Sequence, residues 1–125
     1  MTLSFRRQVV QLASAEVCKR LHKEFTKELS KDFKSHAVQE LIAWYKIDGD
    51  PDKDVLPLDL HKFQTHHVLP RKFGGPNTFE NMALVHPDLH RQIHFLIDRQ
   101  TEWIKPNERR EIQIPVKFGV VWGLT

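Results

Sequence analysis

Between His66 and His94 the chain reads HHVLPRKFGGPNTFENMALVHPDLHRQIH. An adjacent histidine pair is followed, after a Gly-Gly turn and an asparagine, by a His-x-x-x-His pair. A neutral imidazole nitrogen ligates divalent metals, and the same ring takes up a proton near neutral pH. Four rings in this order can gather at one divalent ion, with one of them kept back to handle a proton. Metal and proton acceptor together are the minimum equipment for hydrolysing a phosphodiester. That reaction needs a deprotonated water, neutralised charge on the phosphate and a stabilised leaving oxygen. A lone histidine is most often an ordinary half-exposed polar residue, which is how His22, His36 and His61 read. The motif histidines differ because the pair and its partners flank one strand–turn–helix signal.

That signal says how the rings are positioned. Phe63, Val68 and Leu69 give the segment around His66 a strand character, closed by Pro70 and by the turn Gly74-Gly75-Pro76-Asn77. Adjacent residues of a strand point to opposite faces, so His66 and His67 should have different neighbours and different work. A second short strand over Asn81 to Val85 completes a hairpin with a long loop. Pro87 suits the first position of a helix, and Asp88 suits the positive end of its dipole. His90 and His94 then stand one turn apart on one helix face. One histidine from the hairpin and two from the helix make three nitrogen ligands with coordination positions left over, the pattern of a catalytic rather than a structural site. His86 lies four residues before His90, but Pro87 puts it at the helix cap, so its part in the site stays open.

These residues resemble the HNH nuclease superfamily, and within it the ββα-metal motif of the colicin-type bacterial DNases. The matching positions are His66, His67, Gly74, Gly75, Asn81, Pro87, His90 and His94. The resemblance implies that His66, His90 and His94 hold the metal and that His67 is the general base that activates the attacking water. It gives Asn81 the task of bracing the loop and fixing the orientation of His67 through backbone hydrogen bonds. The fold it implies is α+β: N-terminal helices packed on a ββα-metal motif, with a short C-terminal β element. The function it implies is a metal-dependent endonuclease that cleaves DNA with low sequence specificity. It further implies a bacterial antibacterial toxin or effector domain, secreted as part of a larger protein, acting in the target-cell cytoplasm and neutralised by an immunity protein. A restriction-type, phage-type or RNA-cleaving HNH nuclease is the alternative within the same chemistry. A non-enzymatic zinc-stabilised nucleic-acid-binding module would need His67 as a fourth ligand, which strand alternation disfavours. The four-cysteine structural zinc of many HNH proteins is excluded, because Cys18 is the only cysteine.

The cofactor is one divalent metal ion. Three imidazoles suit zinc or nickel by ligand softness, whereas magnesium prefers oxygen, although magnesium supports activity in some members of the superfamily. Arg71 and Lys72 follow the histidine pair, and Arg91 lies on the metal helix, where each can meet a DNA phosphate. A net charge of +3 and a pI near 9.1 are compatible with a nucleic-acid substrate without arguing strongly for one. There is no apolar run of membrane-spanning length and no signal-peptide core.

The 125 residues are expected to form a single nuclease domain. Residues 1–47 read as helical, with Val10, Ala13, Val17, Leu21, Phe25 and Leu29 as an apolar stripe starting near residue 4 and a break near Ser35. Arg20, Lys23, Lys27, Lys31 and Lys34 form its solvated face. Residues 48–62 read as an acidic linker. Asp48 to Asp59 has the outline of a calcium loop, but Lys53 stands where glycine is needed and Pro51 intrudes. The ββα motif occupies 63–98. In the C-terminal element, 99–125, Ile112 to Trp122 reads as one or two strands, Pro115 keeping the first at an edge, and Trp103 and Trp122 read as packing anchors.

Overall fold

Serine and threonine hydroxyls set the starts of two N-terminal helices. In a computed structural model, which describes residues 4–50, 52, 62–116 and 121–122, α1 spans Ala15–Glu24 and α2 spans Lys27–Asp48. The Ser14 hydroxyl accepts from the amide of Val17 at 3.2 Å, and the Thr26 hydroxyl accepts from that of Leu29 at 3.1 Å. Each cap satisfies an amide that the first helical turn leaves without a partner. The break between the helices therefore falls at Phe25–Thr26 and not near Ser35, which lies inside α2. Periodicity carries across both helices, and only the cap chemistry marks the corner.

The first residues correct the reading further. Ser4–Val10 is a strand, β1, and not the start of a helix. It pairs antiparallel with β4 (Arg110–Val116), from Ser4 opposite Val116 to Val10 opposite Arg110. Val10, the first member of the apolar stripe, is buried in a core cluster with Ile112 and Ile114 of β4. A long-range ladder thus overrides local helical spacing. Among the described residues, Pro115 sits in a strand whose neighbour is β1 alone, so the N–H it lacks costs no ladder bond in a wider sheet.

The second sheet has the order β2 (Gln64–His67), β3 (Met82–Val85), β5 (Val121–Trp122). The β2–β3 pair is antiparallel, with His66 opposite Ala83, while β5 runs parallel to β3. All four residues of β3 are buried, and they alternate between two cores. Met82 and Leu84 pack with Phe33, Ala37 and Leu41 of α2. Ala83 and Val85 pack with Ile93 and Ile97 of α3 (Pro87–Gln100), with Ile112 and Ile114 of β4, and with Trp122. Layers on both faces of a central strand remove its polar alternation. The molecule is α+β: helices on a ββα motif with a C-terminal β element.

Two side chains tie the end of α3 to β4. The Gln100 amide donates to the Gln113 carbonyl at 2.7 Å and its oxygen accepts from the Gln113 amide at 2.8 Å, continuing the strand ladder from a side chain. Arg110 donates to the carbonyls of Gln100 at 3.1 Å and Glu102 at 2.8 Å, at the negative end of the helix dipole. Trp122 is fully buried, but Trp103 is 92% exposed with a left-handed φ of 60°. It projects from the turn after α3 and is not a packing anchor. The acidic linker expected over 48–62, with its calcium outline, begins one residue after that reading, since α2 runs to Asp48, and it lies largely on residues 51 and 53–61, outside the described residues. Among the described residues, no helix is long and apolar enough to cross a membrane.

Candidate metal centre

Strand alternation separates the two neighbouring histidines. His66 points towards α3 and is 2% exposed; its ring lies 5.1 Å from that of His90, 5.9 Å from that of His94 and 5.6 Å from that of Trp122. Helix spacing brings the other two rings together edge-on at 4.5 Å, with their Nε2 atoms 2.9 Å apart. One nitrogen from each of His66, His90 and His94 lies within 4.8 Å of the other two. His66 is buried, His90 half-buried and His94 exposed, so the cluster runs from the core to the surface.

The electrostatics of His66 and His90 are those of neutral ligands. Burial, and then the neighbouring imidazoles, hold the His66 pKa down to about 3. Burial and His94 hold His90 down to about 4. Both rings therefore keep lone pairs available at neutral pH. Both ring nitrogens of His66 are buried and make no hydrogen bond. A buried, unsatisfied polar pair is costly unless something pairs with it, and a divalent ion bound by one of these nitrogens is such a partner. The Gln64 side-chain oxygen lies 2.7 Å from His90 Nδ1. A hydrogen donated from that nitrogen leaves His90 Nε2 to face the cluster, the outer-shell arrangement common to metal-bound histidines. The residues present thus fit a divalent metal.

His67 faces the other way. Its ring meets the Phe25 ring edge-on at 4.9 Å, and its Nε2 lies 2.8 Å from the side-chain oxygen of Asn77. Burial lowers its pKa, the Asn77 bond works against that shift, and the nearby Arg71 adds to it. The ring is thus held in its neutral form, which carries a lone pair.

Asn81 holds the loop at three points. Its oxygen accepts from the Leu69 amide at 2.9 Å, and its NH2 donates to the carbonyls of Leu69 at 3.1 Å and Pro76 at 3.0 Å. The loop it closes is tight: a Cβ on Gly75 would sit 1.7 Å from the Leu69 carbonyl oxygen, and Gly74 has a φ of +83°. No side chain fits at the first position, and few tolerate the second. The side chain that hydrogen-bonds the His67 ring is Asn77, and sequence reasoning missed it by taking Asn77 only as a turn residue. Gln64 was missed as well. Its place two residues before His66 was the one signal available, because i and i+2 share a strand face.

His86 caps α3, its Nδ1 accepting from the Asp88 amide at 3.1 Å, and it stands outside the trio. His36 stacks on Phe79 at 4.8 Å, away from the cluster. The expected phosphate-binding cations are only partly free. Lys72 pairs with Asp98 at 3.0 Å, and Arg91 pairs with Asp88. Arg71 lies over the Phe25 ring at 5.1 Å, beside the face that carries His67.

A hairpin, a helix packed across it and a cluster of metal-competent histidines between them define a ββα-metal module. The model of the HNH endonuclease family matches residues 49–96, which hold the hairpin and all three clustered histidines, and this match supports a place for the segment in the HNH superfamily. No curated protein and no solved structure gives a significant match.

Proposed function

We propose that this protein is a metal-dependent endonuclease that hydrolyses DNA with little sequence preference, with His66, His90 and His94 as metal ligands and His67 as general base. The observation that carries the reading is the division of labour across β2. One histidine, buried with its nitrogens unsatisfied, offers a ligand atom beside two helical histidines, and its neighbour is turned to the opposite face and kept neutral. A divalent ion held by the trio supplies Lewis acidity at the phosphate and leaving oxygens. His67 accepts the proton of the attacking water. Arg71, beside it, attracts the phosphate backbone without reading bases, and Lys72 and Arg91 add affinity where the backbone competes with their carboxylate partners. Asn81 keeps the loop between the strands in the shape that presents His67.

The motif spacing supports a narrower reading: a bacterial toxin or effector domain, delivered in a larger secreted protein and held inactive by an immunity protein until it reaches the target-cell cytoplasm. Zinc or nickel suits the three nitrogen ligands, and magnesium is the third candidate for activity.

Nicking of supercoiled plasmid tests the assignment, using the purified chain, His67→Ala and His90→Ala, each with magnesium, zinc, nickel or chelator. Wild type nicks only with metal. His67→Ala loses about 10²- to 10⁴-fold in rate, the usual share of a general base, yet binds zinc as wild type does. His90→Ala loses both properties. Zinc that needs His67 as a ligand, together with no cleavage of DNA or RNA under any metal, would leave a binding module instead.

A further inference from the structure

We infer that Asn77 is a positioning residue: bridging His67 to the last turn of α1, it holds the His67 ring in the tautomer that carries its hydrogen on Nε2 and leaves Nδ1 to accept the proton. This rests on the reading of His67 as the base. The argument starts at the far end of the bridge. The Leu21 carbonyl, in the last turn of α1, accepts from the Phe25 amide at 3.2 Å and from the Asn77 NH2 at 2.8 Å. Carbonyls at a helix C-terminus have spare acceptor capacity and sit at the negative end of the dipole. A backbone carbonyl can only accept, so the end of the Asn77 amide that meets it must be the NH2. The other end is then necessarily the oxygen, and that oxygen lies 2.8 Å from His67 Nε2.

An amide oxygen also only accepts, so Nε2 must be the donor. In a neutral imidazole the hydrogen is then on Nε2 and the lone pair on Nδ1. Among the described residues the ring's hydrogen bond is the one at Nε2, which leaves Nδ1 unbonded. The ring plane is set from the same side, because Phe25, the residue that ends α1, meets it edge-on at 4.9 Å. The N-terminal helix, which lies outside the matched segment of residues 49–96, thereby reaches the candidate base at two points.

The test pairs a spectroscopic readout with kinetics on the full chain. Long-range ¹H–¹⁵N spectra of ¹⁵N-histidine-labelled protein at neutral pH assign the His67 tautomer in wild type, Asn77→Leu and Asn77→Asp. Plasmid nicking with magnesium gives kcat and KM for the same proteins. Wild type shows the hydrogen on Nε2. Asn77→Leu shows mixed tautomers and loses about 10- to 100-fold in kcat, the range seen when an outer-shell partner is removed, with KM unchanged. Asn77→Asp still accepts from Nε2 and recovers the wild-type tautomer and most of kcat. A wild-type spectrum with the hydrogen on Nδ1 overturns the proposal by itself, even if the leucine variant does not fold. Asn77→Leu with wild-type tautomer and kcat overturns it too. His67→Ala cleaving as fast as wild type would remove His67 as the base, and with it any catalytic meaning of the bridge, whatever the spectra show.

Discussion

At the residue scale, the burial of His66 carries the sharpest consequence. Its pKa falls from 6.5 in an unfolded chain to about 3 in the fold, because burial and the neighbouring imidazoles oppose its charge. Between those values the unfolded chain binds the extra proton and the folded chain does not. Stability from this group is therefore complete above about pH 6.5 and declines as pH falls towards about 3. His90 acts in the same direction over a narrower span, down to about 4. Melting of the metal-free protein, with chelator present, should drop between pH 7 and pH 4.5, and the drop should be smaller in His66→Leu. Equal slopes in the two proteins would show that the burial of this ring does not govern acid sensitivity.

At the element scale, the loop from Val68 to Asn81 is what makes two short strands into a rigid frame. Asn81 contributes three side-chain hydrogen bonds to the backbone of Leu69 and Pro76, and its own carbonyl accepts from the Val68 amide at 2.8 Å. Each bond is worth about 1 kcal/mol net, and a buried partner left unsatisfied costs more. Asn81→Ala should therefore destabilise the protein by about 2–4 kcal/mol, read from the urea midpoint with its slope unchanged. A loss below about 0.5 kcal/mol, the level of an ordinary surface change, would mean that the glycines alone set the loop. That alternative has some physical footing, since Gly75 lies against the Leu69 carbonyl where no Cβ fits.

At the scale of the whole molecule, the trio joins separate layers: His66 comes from the sheet, and His90 and His94 from a helix clamped to β4 through Gln100 and Arg110. An ion bound there links β2 to α3 and, through β4, to β1. Binding to the folded state alone should raise the melting temperature with metal concentration, by the equivalent of about 2.7 kcal/mol at a hundred times Kd. Thermal scans with zinc titrated against chelator read this, and His94→Ala should abolish the shift; a shift that survives in that variant would place the ion elsewhere. The same scale shows what was legible beforehand. The chain alone determined the helix over His90 and His94, the opposed faces of His66 and His67 and the turn glycines. These rest on local periodicity and on conformations open to few residues. It could not determine that Ser4–Val10 is a strand, that α1 ends at Phe25, that Trp103 is exposed, or that Asn77 meets both Leu21 and His67. A helix satisfies its own backbone within a few residues, and its signals are local. A strand satisfies its backbone only against a partner, and β1 finds its partner at Arg110–Val116, at the opposite end of the sequence. A buried amide likewise takes its meaning from the groups that the fold brings to it, which is why the tertiary structure alone decided the surroundings of His67.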